Sequence, residues 1–474
     1  MSCNAVSELT VTLEKLGQGH ILPSLTGEVD VNVDHPVVKQ LSKLDIAKSL
    51  EKFEIALKST ANPVSQDEIK PLANVLQWNM QEKGVQESIR DLGWEALQQG
   101  TVAAIILSGG QGSRLGFDGP KGMYDMGLPS GRSIFQIHID RLMAVRRLAA
   151  SKFEETVLPS IPVYIMTSEI NSNTIKEYFQ EQKFFGYPPD DVYFFEQSLE
   201  PCVDFNGRII LESSQSLSLA PDGNGGIYNA LHRSGAAEDM FKRGVKHLHI
   251  YGIDNVLTKS VDPAFIGACI QKNVQVGNKV CWRANKSEKV GVAVDHHGKM
   301  LILEYSEISR TLADAVDDTG KLLYGAGNIC NHYMRLDFLI EKVFPQLTGI
   351  YHLAKKKIPC LDIDSGLEIV PTENNGYKLE MYIFDVFPLA DEWLVMEVMR
   401  EDEFAPVKNA PDNPVDSPTS AKTMITNQCK HWIEACGGTV EGSGVIEISP
   451  SLSYEGEGLF DCKGKVITAP CFLE

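Results

Sequence analysis

From Val102 to Leu107 the chain reads Val-Ala-Ala-Ile-Ile-Leu, an unbroken apolar run with the length of a strand buried on both faces. Val163–Thr167, Val192–Phe195 and His247–Ile253 repeat the strand pattern, while Ser133–Ala149 and Asn173–Gln182 space their apolar residues as helices do. The stretches Lys279–Arg283 and Gly291–Tyr305, the latter turning at His296-His297-Gly298, add further strands. Such alternation predicts an α/β fold, a mainly parallel sheet covered by helices, with ligand sites at the carboxyl ends of the strands. Before residue 100 the spacing over Leu41–Leu57 and over Ile69–Met80 is helical, with a polar turn containing Pro63 between them. Beyond residue 400 a run rich in Pro, Asn and Asp between Phe404 and Pro418 reads as a boundary, followed by a helix near Ala421–Cys436 and a strand-like tail. The expected organisation is a helical N-terminal region (1–97), a central α/β domain (98–400) and a small C-terminal domain (401–474).

Composition narrows the classes of function. A length of 474 residues favours two or three domains. With 44 Lys plus Arg against 63 Asp plus Glu, the formal charge of −19 argues against nucleic acid and anionic membranes as partners. The 10 cysteines show no CxxC pair and no close Cys/His cluster, so they suggest reduced thiols rather than a disulfide scaffold or structural zinc. His247 and His249 alternate along a strand and His296-His297 flank a glycine turn, none with ligand spacing. No apolar leader or membrane span is apparent, and a cytoplasmic protein is expected.

The chemistry concentrates in Leu107–Gly122, LSGGQGSRLGFDGPKG. Gly109, Gly110 and Gly112 after a strand let backbone N–H groups approach an anion closely, and Arg114 and Lys121 add fixed positive charge just beyond. The spacing fits neither the P-loop, which needs Gly-Lys-Ser/Thr, nor the dinucleotide fingerprint, for which Gly116 comes one residue late. An acidic protein that binds polyphosphate must gather its cations locally, and a divalent metal would help.

This segment resembles the signature of the eukaryotic-type UDP-sugar pyrophosphorylases, and most of all their UDP-N-acetylhexosamine branch. The resemblance continues in order through PKGMYDMGLPS, FQIHIDRL, SLAPDGNGGIYNAL, YGIDN, LEYSEIS, GAGNICNH, FDVF, REDEFAPVKNA and EISPSLSYEGEGL. It implies a Rossmann-like nucleotidyltransferase domain of the nucleotide-diphospho-sugar transferase type. The implied partners are UTP and N-acetylhexosamine 1-phosphate, which would give UDP-N-acetylhexosamine and pyrophosphate with Mg²⁺ as cofactor. In such a reaction the attacking phosphate oxygen is already anionic, so the site must align and neutralise anions rather than supply a base.

Residue by residue, the resemblance assigns Arg114 to the departing β,γ-phosphates and Lys121 to the α-phosphate region. It also implies phosphate contacts from Lys378 and Lys408 on a second side. Leu107, Ser108, Gly109 and Gly110 would lie along the nucleotide, and Gly223 against it. Gln197 presents an amide suited to uracil N3–H and O4. Asp254 corresponds to the acid that holds the metal, with Asp385 the candidate second ligand. Asn224, Glu304 and Asn328 would read the sugar, Asn224 through its hydroxyl or acetamido group. A UDP-glucose or broad UDP-sugar pyrophosphorylase is the alternative within the same chemistry, and a catalytically silent sugar-nucleotide sensor the alternative outside it. The choice between gluco and galacto epimers and the formation of a homo-oligomer stay open.

Overall fold

Six consecutive apolar residues leave no polar side chain to seek water, so Val102–Leu107 forms a strand with both faces buried. Each such side chain gains about 1.5–3 kcal/mol over exposure when it is large and fully covered. The computed structural model describes residues 3–22, 34–60, 65–363 and 365–474. The chain divides into two units: Met1–Ser65, Gln197–Asn229 and Val343–Val386 form the smaller, and Gln66–Glu196, Ala230–Lys342 and Phe387–Glu474 the larger.

The larger unit is built on an 11-stranded sheet. Its strands are β1 (Ile69–Lys70), β2 (Val75–Gln77), β3 (Val102–Leu107), β4 (Val163–Thr167), β5 (Val192–Glu196), β6 (His247–Gly252), β7 (Val276–Trp282), β8 (Val292–His296), β9 (Lys299–Leu303), β10 (Ala326–Arg335) and β11 (Trp393–Glu397). The main path runs β2-β11-β7-β10-β6-β3-β4-β5, with β8 joining β10, β9 and β1 at the side. On that path β10 alone runs against its neighbours, so the sheet is mainly parallel as expected. β3 and β6 pair in level register, with Leu107 beside Gly252. The turns that follow them therefore leave the same edge of the sheet.

Helices α1 (Lys83–Gln98), α2 (Ile134–Lys152), α3 (Ser172–Glu181), α4 (Pro263–Gln271) and α5 (Pro418–Ala435) belong to this unit. Their starts are written locally: Ser133 accepts the Gln136 N–H ahead of α2, and Asp262 accepts the Ala264 N–H ahead of α4, with Pro263 in the first turn. No described helix is long and apolar enough to cross a membrane.

Two expectations need correction. Ile69–Met80 is not a helix but β1, β2 and a short 3-10 turn, because Pro71 removes an N–H and drives the preceding residue toward extended backbone. The stretch beginning at Leu41 divides into Pro36–Leu41 and Ile46–Thr60, since Asp45 accepts the Lys48 N–H and starts a new helix. The Phe404–Pro418 run also does more than link. Asn255 donates to the Glu403 carbonyl and accepts from the Ala405 N–H, and Phe404–Val407 is buried. Ile433, Ile446 and Ile448 then join the hydrophobic cluster that contains β3. The units thus interleave along the chain, where composition had suggested three regions in sequence.

The smaller unit contains a three-stranded antiparallel sheet, His352–Lys356, Gly376–Glu380 and Val203–Asp204, and a pair formed by Leu199–Pro201 and Leu219–Pro221. Helix Ile46–Thr60 turns Lys52 inward to an ion pair with Glu200, which also accepts from the Ser49 hydroxyl at 2.6 Å.

Candidate functional site

In the larger unit, β3 delivers the glycine turn. Ser108 is fully buried, and Asn171, itself buried, donates its amide to the carbonyls of Ser108 and Gly109 at 3.4 and 3.1 Å and accepts the Ser168 N–H. The loop then closes on itself: the Gly112 N–H donates to the Gly119 carbonyl at 2.8 Å and the Lys121 N–H to the Gly110 carbonyl at 3.2 Å. Beside Gly110 there is no protein atom within 4 Å of where a Cβ would stand. Arg114 lies exposed on the 3-10 turn Ser113–Leu115, while Lys121 is half-buried at the start of the next.

β6 delivers Asp254 to the same edge. The Ile253 N–H donates to the Leu107 carbonyl at 3.1 Å, tying the two turns together. His138 of α2 hydrogen-bonds the Ile253 carbonyl at 3.0 Å, and burial pushes its pKa down to about 3, so the neutral ring donates. The Asp254 carbonyl accepts the Val407 N–H at 2.9 Å, which brings Lys408 alongside, and the Lys408 N–H donates to the Asp416 carbonyl. Burial holds the Lys121 ammonium below the ordinary lysine range; Asp254 opposes that shift, and Lys408 and Arg114 add to it. Three cations and one carboxylate are thus within electrostatic reach of one another. The Asp254 carboxylate makes no hydrogen bond or short ion pair among the described residues, and its Oδ1 lies 2.7 Å from where a Cβ on Gly252 would stand. An uncommitted carboxylate over a glycine, flanked by cations, suits a hard cation carried in with phosphate.

Glu304 follows β9 and Asn328 lies in β10; both flank Gly291, whose carbonyl accepts the Asn328 N–H at 2.8 Å and whose Cβ position is 3.0 Å from Glu304 Oε1. Asn328 Oδ1 accepts the Cys330 N–H at 3.3 Å.

In the smaller unit the second glycine turn is tightly specified. Gly223 has φ +80°, and a Cβ there would stand 2.3 Å from the Met381 carbonyl oxygen, so only glycine fits. Gln197 donates its amide to the Gly223 carbonyl and, at 3.4 Å, to Asp222. Its donor group is therefore already engaged, and Oε1 is what it has left to offer. Asn224 is similarly half-committed, since its Oδ1 accepts the Ile383 N–H at 3.0 Å and leaves Nδ2. Asp222 is fully buried, and burial pushes its pKa up to about 7, with Glu200 adding to the shift and Lys52 opposing it. Lys378 is half-buried on the strand Gly376–Glu380. Asp385 accepts the Tyr382 N–H at 2.6 Å and stands 3.0 Å from His352 Nε2.

The larger unit thus holds Leu107, Ser108, Gly109, Gly110, Arg114, Lys121, Asp254, Glu304, Asn328 and Lys408; the smaller holds Gln197, Gly223, Asn224, Lys378 and Asp385. Sequence reasoning missed Asn171 and Asp222. The first carries no local signal, whereas the second is the acid directly before a glycine turn.

Residues 48–437 match the family model described as UTP–glucose-1-phosphate uridylyltransferase. The chain is 39% identical over 477 residues to UDP-N-acetylglucosamine diphosphorylase 2 of Arabidopsis thaliana, covering 98% of this chain and 93% of that protein. It is 39% identical over 434 residues to UDP-N-acetylglucosamine pyrophosphorylase of Saccharomyces cerevisiae, covering 90% of each. The crystal structure of uridine diphosphate N-acetylglucosamine pyrophosphorylase from Trypanosoma brucei in complex with inhibitor superposes with a TM-score of 0.82 at 28% identity, over 97% of this chain and 95% of that one.

Proposed function

The chain belongs to the UTP–glucose-1-phosphate uridylyltransferase family, and from that premise we propose that it is a nucleotidyltransferase joining UTP and N-acetylglucosamine 1-phosphate into UDP-N-acetylglucosamine and pyrophosphate. The observation that carries the reading is the gathering of Arg114, Lys121, Lys408 and Asp254 where β3 and β6 end level. We assign the reaction to the cytoplasm, in keeping with described cysteines that are all free thiols.

The sugar phosphate oxygen attacks the α-phosphorus of UTP in line with the departing pyrophosphate, forming one P–O bond as the other breaks. No proton need be removed from the nucleophile, so the protein's work is alignment and charge. In our assignment Lys121 draws charge from the α-phosphate, Arg114 from the leaving β,γ-phosphates, and Lys408 contacts phosphate beside them; Lys378 is assigned a phosphate contact in the smaller unit. Backbone groups of Leu107, Ser108, Gly109, Gly110 and Gly223 lie along the nucleotide, with Gln197 Oε1 left to accept the uracil N3–H. Asp254 would hold a divalent cation, which we take to be Mg²⁺ and which supplies neutralisation of phosphate oxygens when bound.

The assay that tests the function compares UTP with N-acetylglucosamine 1-phosphate and with glucose 1-phosphate. A higher kcat/KM for the acetylated sugar supports the reading; an equal or higher one for glucose 1-phosphate establishes the UDP-glucose or broad alternative. Binding without turnover would mean a sensor.

Asp254→Asn is expected to raise the Mg²⁺ concentration for half-maximal activity by about tenfold, since an amide is a poorer ligand for a hard cation. It should also bring the alkaline fall in activity to lower pH, because Lys121 loses the anion that favours its charged form. A magnesium titration matching the parent's would remove Asp254 from the metal site.

Asn224→Ala should depress efficiency with N-acetylglucosamine 1-phosphate more than with glucose 1-phosphate, as Nδ2 would lose its acetamide partner. The preference should narrow by about tenfold, from a hydrogen bond worth roughly 1–3 kcal/mol. Equal losses with both sugars would make Asn224 a turn residue whose work is the Ile383 bond.

A further inference from the structure

The β8–β9 hairpin turns in two residues, His297 and Gly298, between the paired residues His296 and Lys299. Both have positive φ, +54° and +80°, the conformation of a type I′ turn. Gly298 is suited to it, but the first position favours Asn, Asp or Gly, and a His there is strained. That strained backbone presents His297 beside His296, with ring centroids 4.4 Å apart.

A third side chain arrives from a distant part of the sequence. β1 pairs with β8 so that Ile69 faces His296, which carries Glu68 to the turn. Gln66 fixes the approach: its amide donates to the Glu307 carbonyl at 2.6 Å and its Oε1 accepts the Ser309 N–H at 2.8 Å. Glu68 Oε2 then stands 3.4 Å from His297 Nε2 and 3.7 Å from His296 Nε2. Both separations are too long for good hydrogen bonds. His296 Nε2 is moreover shielded from solvent with no hydrogen-bond partner. Among the described residues this is the only group of three potential ligand side chains whose donor atoms all lie within 4.8 Å of one another.

We infer that His296, His297 and Glu68 form a binding site for a divalent transition metal of the zinc class, separate from the phosphate-binding edge. With bonds of about 2.0–2.2 Å, neighbouring ligands of a tetrahedral zinc ion stand about 3.3–3.5 Å apart, close to the separations seen. Two imidazoles and one carboxylate leave the fourth position to water and select zinc-class ions over Mg²⁺, which prefers oxygen. Metal at this point clips the strand after Glu68 to the β8–β9 hairpin, and β9 runs directly into Glu304.

The test uses the full chain, stripped with a chelator and titrated with Zn²⁺ against a chromogenic competitor. The wild type should bind one equivalent with a micromolar or tighter Kd. His297→Asn keeps a residue that the turn favours and so preserves the hairpin; it should weaken binding by about tenfold or more, as should Glu68→Gln. Co²⁺ should give a tetrahedral visible spectrum in the wild type that is absent from both variants. Turnover with UTP, sugar phosphate and Mg²⁺ should be unchanged in His297→Asn. Equal Zn²⁺ affinity in wild type and both variants, or no stoichiometric binding by the wild type, overturns the proposal.

Discussion

Arg114→Ala is expected to lower kcat on the order of a hundredfold while leaving the affinity for UDP-N-acetylglucosamine nearly unchanged. Arg114 is exposed on a short turn and makes no side-chain hydrogen bond or ion pair among the described residues, so its removal should not disturb the fold. In the assignment above it meets charge that builds on departing pyrophosphate, which the nucleotide-sugar product does not contain. Loss of a positioned charge of that kind costs about 3 kcal/mol in the transition state. Steady-state kinetics and calorimetric titration of the product separate the two effects. Equal losses in turnover and product affinity would move Arg114 to the nucleotide itself.

Lys279→Met is expected to cost about 3–5 kcal/mol of stability, read from urea unfolding. Lys279 is fully buried on β7, with Asp262 Oδ2 at 2.5 Å and Glu403 as its second carboxylate partner. Burial alone would lower its pKa, but Asp262 and Glu403 outweigh that and raise it. Asp262 moves the other way: burial would raise its pKa, yet Lys279 and Lys259 hold it well below the usual carboxylate range. The stability contributed by Asp262 is therefore fully present at neutral pH, above its unfolded-state pKa, and is lost only as pH falls through its depressed folded-state pKa. Methionine in place of Lys279 fills the volume but leaves two buried carboxylates with Lys259 alone as a nearby lysine, 3.9 Å from Glu403. The Asp262 pKa then rises, because it loses the cation that did most to lower it, so acidification from about pH 7 to about pH 5 should narrow the gap between variant and parent. A gap that widens on acidification would contradict this account. Because Asn255 holds the Glu403 carbonyl next to Asp254, activity should fall with stability.

The strands were legible where burial leaves no choice. β3 and β4 match their expected bounds, since a strand covered on both faces is written as an unbroken apolar run. Ile69–Met80 misled because its apolar spacing was helical while Pro71 forbade the helix. The glycine turns were legible for a similar reason: a backbone that must turn sharply is encoded locally. Gln197 and Asn224 were recognisable as amides at the right turns, but the sequence could not tell that Gly223 and Ile383 already occupy one end of each. Asn171 and the Glu68–His296–His297 group were invisible, because lone polar residues acquire a role only when distant segments meet.

The interleaving of the two units has a consequence during synthesis. Neither can be finished while the ribosome is still in the middle of the message, for each draws on segments from early and late in the chain. β2 leaves the ribosome early, but its partner is β11, which emerges only after the last segment of the smaller unit. Until then β7 has β10 on one side and an open edge on the other. A strand with a free edge invites pairing with a second nascent chain. Messages cut short before Trp393 should therefore yield aggregates rather than a smaller soluble enzyme, and the nascent chain most needs a chaperone between the emergence of β7 and that of β11.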